Sequence, residues 1–132
     1  MKIYVAGPLA DIETVRAVRS AVLAVGHELT LDWSRVEDVT FDTDYASRPA
    51  LSARLARDDL EAVLTADAVL VVASEHGGAE MFVELGAALA RAERGDLDHV
   101  VVIGQIRHES VYYPHPTIKR VSTVNDWLAT LT

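Results

Sequence analysis

The stretch "AVLVVASEHGGAEMFVELGAALARAERGDLDHVVVIG", residues 68–104, decides the fold. Its two ends, residues 68–73 and 99–104, are continuous apolar runs rich in β-branched side chains. Such runs suit strands buried on both faces of a parallel sheet. Between them an Ala-rich segment opens behind Gly77 and Gly78 and reads as a helix. Nearly every position of that helix from 81 to 90 is apolar, and Glu84 is the exception. Surface helices gather their charges on one face, so a lone glutamate in an apolar helix asks for an explanation.

The alternation of strand and helix continues outward on both sides. "KIYVAG", residues 2–7, is a short apolar run that ends at Gly7-Pro8, a strand followed by a turn. Asp11 stands where it would cap the next helix, whose Val15, Val18, Val22 and Val25 recur at helical spacing before Gly26. "HELTLDW", residues 27–33, alternates as a second strand. Residues 34–47 form a long polar loop or lid whose Glu37, Asp38, Asp42 and Asp44 read as solvated. A helix follows from about Pro49 to Thr65, with proline in its first turn. After Gly104 come a loop rich in His and Tyr, the short strand "TIKRV", and a terminal helix capped by Thr123 with Asp126 three residues on. This pattern predicts one domain, residues 1–132, of doubly wound α/β fold with a flavodoxin/Rossmann-like parallel sheet of about five strands. Ligands of such sheets bind outside the carboxyl ends of the strands, where Gly7, Asp32, Ser74 and Gly104 fall.

Composition narrows the function. The chain has 132 residues, half of them hydrophobic, enough for one proper core. No apolar run approaches the roughly 18 residues that span a bilayer, and the N-terminus lacks a signal-peptide pattern. The expectation is no membrane. The absence of cysteine excludes disulfides, thiolate metal sites and cysteine nucleophiles, and it fits a cytoplasmic protein. A net charge of −8 argues against a nucleic-acid polymer as partner, leaving a small substrate.

The helical carboxylates sort into two groups. Glu13 has Arg16, Asp58 has Arg54 and Glu61 has Arg57 one turn away, spacings at which exposed pairs form. Glu93 lacks a basic neighbour but sits in a charged helix end where solvent suffices. Asp59 and Glu84 have only apolar or acidic neighbours at three and four residues, Glu80 among those of Glu84. A buried polar group without a partner costs roughly 2–7 kcal/mol, so structure alone explains neither well. The helix amino end favours negative charge, and Glu80 could share a proton or a ligand with Glu84. For Asp59 a partner from a neighbouring loop remains open. Paired carboxylates at a cleft are also what glycosidic bond cleavage uses.

In order and spacing, "KIYVAGP", "ARDDLEAVLTADAVLVV" and "GGAEMFVELGAALA" resemble the nucleoside 2-deoxyribosyltransferase family and its relatives, the 2'-deoxynucleoside 5'-phosphate N-hydrolases. The resemblance covers most of the chain, without the acidic loop. It implies that Glu84 is the nucleophile that attacks the anomeric carbon, that Asp59 contacts and protonates the leaving base, and that Tyr4 orients Glu84 through its hydroxyl. It also implies that no metal or organic cofactor takes part. The chain departs from the family's transferases at Gly78, where they carry an acid six positions before the nucleophile; Glu80 is the stand-in. The hydrolases' Ser or Arg after the first strand is missing from "GPLAD". Ser74, Gly77 and Gly78 at a helix amino end remain a candidate phosphate site.

Other features carry a structural and a functional reading side by side. Gly7-Pro8 is either a tight turn or a place where a base approaches the backbone. Trp33, beside Asp32, either stacks on a base or packs the lid. Asp67 reads as structural. His108 and His115 match no familiar metal-ligand spacing, while Tyr112 or Tyr113 could close over a substrate, including that of a neighbouring subunit. In the apolar helix Leu85, Leu89 and Ala92 form one stripe and Val83, Ala87 and Ala90 a second, which predicts at least a homodimer. Two rival readings keep the fold: a nucleotide-sensing module that has lost catalysis, and another phosphate-binding enzyme. The second is weakened by the absence of a GxxxxGK[ST] or GxGxxG loop.

Overall fold

A computed structural model describes residues 1–32, 47–75 and 78–132. Strands β1 (Lys2–Ala6), β2 (Glu28–Leu29), β3 (Ala68–Val72), β4 (His99–Ile103) and β5 (Ile118–Val121) form one sheet in the order β2-β1-β3-β4-β5. Every pairing is parallel, with Tyr4 opposite Val69 and Val69 opposite Val100 across the centre. This is the flavodoxin-like order. The chain reverses direction across the sheet between β1 and β3, and sheets of this order bind ligands outside the carboxyl ends of the strands at such a point. Trp33, Gly77 and the acids Glu37, Asp38, Asp42 and Asp44 lie outside the described residues.

The helices cover the sheet in two layers, because successive strand residues point to opposite faces. α1 (Ile12–Ala24) and α4 (Val124–Leu128) close one face. Val15, Val18 and Val22 of α1 and Trp127 of α4 pack there on Ile3, Val5, Leu70, Val101 and Ile103. α2 (Pro49–Thr65) and α3 (Ala79–Glu93) close the other. There Ala62, Val63, Met81, Leu85 and Leu89 pack on Tyr4, Ala6, Val69, Val71 and Val100. The five residues of β3 are all buried, as a central strand between two helical layers requires. No helix among the described residues is long and apolar enough to cross a membrane.

Two local expectations need correction. The second strand is two residues long, although alternation spans residues 27–33. At the sheet edge β2 has only β1 to bond, and Thr30 N–H reaches Ile3 O as the last link (3.0 Å). Asp11 is the N-cap of α1 but makes no side-chain cap bond; its carboxylate accepts from the Ser74 hydroxyl instead. The terminal cap holds as expected, with Thr123 and Asp126 bonding each other's backbone N–H at 3.2 Å. Both outer strands are poor templates for further pairing: β2 is short, and β5 exposes Lys119 and Arg120.

Candidate active site

The site is built where three elements of one face meet. Tyr4 points from the middle of β1 into the α2–α3 layer and is 1% exposed. A tyrosine so placed needs a partner for its hydroxyl, and the hydroxyl donates to the Glu84 carboxylate. Glu84 lies in the first half of α3 on the buried face that carries Met81, Leu85 and Ala88. At 8% exposure it is the buried charged residue among those described, and its Oε2 has no hydrogen-bond partner. Asp59 projects from α2 close enough that its charge acts on both Tyr4 and Glu84. Among the described residues no hydrogen bond or ion pair holds Asp59.

Burial decides the protonation of this group. Loss of water pushes the Glu84 carboxyl up to about 8; the Tyr4 hydrogen bond opposes the rise, and the charges of Asp59 and Glu80 add to it. Asp59 is pushed up to about 6, first by burial and then by Asp58. Tyr4 is raised by burial and by both carboxylates, which keeps its hydroxyl a donor. Coupled groups titrate as a unit, so between about pH 6 and 8 the two carboxyls hold one proton between them. Such a pair can offer an anion and an acid at once. Among the described residues no three His, Asp or Glu side chains converge on a metal-sized site.

The remaining candidates are placed as follows. Glu80 sits in the first turn of α3, exposed, where its charge reaches Glu84. Gly78 is the N-cap of α3, without a side-chain cap bond. A Cβ added to it would lie 3.2 Å from the Pro8 ring, so the turn after β1 closes directly on this helix end. Gly7 has a packing reason to be glycine: an added Cβ would stand 2.6 Å from Val15 Cγ2 and 3.2 Å from Val72 Cβ. Ser74, beyond β3, is bonded to Asp11. Asp32 is not brought to the carboxylates; it pairs with Arg19 on α1, the helix of the other face. Tyr113 is buried against Phe82, with ring centroids 5.7 Å apart, and belongs to the core, whereas Tyr112 is 59% exposed.

Several partnerships escaped the sequence reading. Glu93, expected to be solvated alone, accepts from His115 Nε2 at 2.6 Å; His115 Nδ1 accepts from Thr117 N–H, which assigns the tautomer. His108 bonds the Glu75 carbonyl and Arg107 pairs with the Glu75 carboxylate at 3.3 Å, so the loops after β3 and β4 are joined. Asp67 accepts from Lys2 N–H (2.8 Å), the structural role expected of it. Of the expected helical pairs Glu13–Arg16 forms at 2.7 Å. Among the described residues none joins Asp58 to Arg54 or Glu61 to Arg57, all exposed.

No protein-family model matches the chain, and no curated protein matches it either. Among solved structures it is similar to the Clostridium botulinum CMP N-glycosidase BcmB, with a TM-score of 0.57 at 10% sequence identity. The match covers 99% of this chain and 98% of that one. At that identity the likeness establishes the α/β fold from end to end.

Proposed function

We propose that the chain cleaves or transfers the N-glycosidic bond of 2'-deoxynucleosides or their 5'-monophosphates, as a member of the deoxyribosyltransferase-like group its sequence resembles. The observation that carries this reading is the buried Glu84, with one side held by the Tyr4 hydroxyl and Oε2 left without a partner. A carboxylate kept this way is set for a bond its own protein does not satisfy. The activity of the structural neighbour, a CMP N-glycosidase, supports a reaction at the same kind of bond.

The reaction follows from the one-proton state of the pair. At rest Glu84, the more raised of the two, holds that proton; the reacting arrangement has it on Asp59, and Glu84 then attacks C1' as the anion. The C1'–N bond breaks, its electrons stay with the base, and Asp59 delivers the proton, so free base leaves and a glycosyl ester remains on Glu84. Tyr4 donates to the Glu84 carboxylate and holds its orientation. Positive charge that develops on the sugar ring favours the Glu84 anion during this step. Asp59, now the base, takes a proton from water; the water oxygen bonds C1' and releases Glu84. A second nucleobase in place of water makes the same step a transfer. No metal or organic cofactor enters.

The 5' end is recognised at the amino end of α3, where an uncapped helix terminus offers N–H groups to an anion. Asp11 beside Ser74 and Glu75 beside Arg107 oppose a phosphate there, so the free nucleoside competes closely. The active form is at least a homodimer that covers the outer stripe of α3, where Val83 is 62% exposed. Chromatography of products from deoxycytidine, its 5'-monophosphate, CMP and purine counterparts, with and without an acceptor base, tests the reading. Release of free base supports it. Binding of nucleotides without base release from any of them leaves a sensing module instead.

A further inference from the structure

We infer that Arg91 is a positioning residue for the carboxylate pair: its guanidinium locks α3 to the end of α2 in the register that sets Glu84 beside Asp59. This rests on the glycosidase reading for its consequence, though not for its geometry. Arg91 Nη1 donates to the carbonyls of Val63 (2.7 Å) and Ala66 (2.8 Å) at the end of α2. Its Nε donates to Asp96 Oδ1 (3.2 Å) and its Nη2 to the Asp96 carbonyl (3.0 Å). All three nitrogens are used, and the side chain is 16% exposed.

The carbonyls it meets need it. Val63 and Ala66 are buried, and the bond from Ala66 N–H to Val63 O is long at 3.4 Å. Buried end carbonyls without water require another donor, and a cation at a helix carboxyl end is favoured by the dipole. An ammonium has no rigid fork with which to meet two carbonyls and a carboxylate together.

The register connects this clamp to the site. α2 and α3 both cross over between parallel strands on one face, so they run side by side in the same direction. Ala66 follows Asp59 by seven positions, and Arg91 follows Glu84 by seven. Seven residues are about two turns, ~10.5 Å, and return to the same helix face. The seam between the helices therefore carries Asp59 and Glu84 at one level and Ala66 and Arg91 two turns on. A slide or rotation at the clamp moves the carboxylates against each other. Charge does not transmit this effect: the groups that act on Glu84 are Tyr4, Asp59 and Glu80, and the group that acts on Asp59 is Asp58.

The test follows the Glu84 carboxyl by carbon-13 NMR across pH in wild type and Arg91→Lys, which keeps the charge and loses the fork. The Glu84 midpoint is expected to fall by about one pH unit toward the ordinary carboxylate range as the seam loosens and water enters. Where base release is measurable, kcat falls roughly tenfold with KM within about twofold, the signature of misplaced reacting groups. An unmoved Glu84 midpoint in the folded lysine variant overturns the inference. Should that variant not fold, Asp96→Ala at an exposed position removes one anchor of the guanidinium. Its midpoint must move the same way, and an unmoved one overturns the inference equally. The titration needs no substrate. A wild type that releases no base therefore sinks the glycosidase reading while leaving the clamp to be judged by the midpoint alone.

Discussion

Replacing Glu84 with glutamine should make the protein inactive and, at alkaline pH, more stable. The folded chain holds the Glu84 proton until about pH 8, whereas a free glutamate releases it near 4.5. Between those values the folded state binds more protons than the unfolded state, so wild-type stability falls as pH rises. At about 1.4 kcal/mol per pH unit the full excursion amounts to roughly 3–5 kcal/mol. The amide cannot ionise, so the variant lacks this slope. It has a separate, pH-independent cost: the Tyr4 hydroxyl can still donate to the amide oxygen, but the nitrogen replaces an Oε2 that has no neighbour to bond. An unsatisfied buried donor costs about 1–3 kcal/mol, so at pH 5 the variant should be no more stable than wild type. Urea unfolding at pH 5 and pH 8.5 measures both proteins by linear extrapolation. Asp59 titrates in each and largely cancels from the difference. The stability gap should shift by roughly 3 kcal/mol in favour of the variant between the two conditions. A gap that stays constant across this range refutes the argument that burial holds the proton on Glu84.

The wild-type kcat/KM should trace a bell with limbs near pH 6 and pH 8; below it both carboxyls are protonated and Glu84 cannot attack, above it no acid remains. A flat profile across that range removes the one-proton mechanism. Asp59→Asn should slow poor leaving bases more than good ones, by roughly 10²-fold or more for the poorest, and equal losses across leaving groups would take the acid role from Asp59. Gly7→Ala should cost about 1–3 kcal/mol, read as a lowered Tm, because its Cβ meets Val15 at 2.6 Å; an unchanged Tm would show that the turn yields. Light scattering at micromolar concentration should give at least a dimer, and a monomer there ends the proposal that a second copy covers Val83.

The fold was legible because its signals are local. Residues 68–72 and 99–103 pair in the sheet as their apolar runs predict, and the proline before Ala50 marks the start of α2. Glu84 and Asp59 were legible for the opposite reason, as charges that the helical pattern leaves unexplained. What could not be read was contact between distant residues. Ser74 and Asp11 lie 63 positions apart, and no pattern in either segment announces their bond. The alternation of residues 27–33 puts Asp32 at a strand end near the crevice, but the strand stops at Leu29 and Asp32 turns to Arg19 on the opposite face. Tyr112 and Tyr113 are equivalent in sequence, and only the packing of Phe82 separates the core residue from the exposed one. Arg91 carried a faint signal, its seven-residue spacing from Glu84, which has meaning only once the seam with α2 is known.

The two edges of the sheet restrict how copies of this chain can meet. With β2 only two residues long and β5 presenting Lys119 and Arg120 to solvent, neither margin suits the backbone-to-backbone joining that extends a sheet from one molecule into the next. The homodimer proposed above would then form through side chains rather than through a shared sheet. Exposed apolar side chains stand on both layers, Leu23 and Val25 at the end of α1 on one, and Leu60, Leu64 and Val83 on the layer that houses the carboxylates. A dimer formed on that second layer would set its two reaction centres back to back across the contact, so that crowding at the interface would press on the same helices that hold Asp59 and Glu84. Assembly and catalytic geometry would then share one mechanical element.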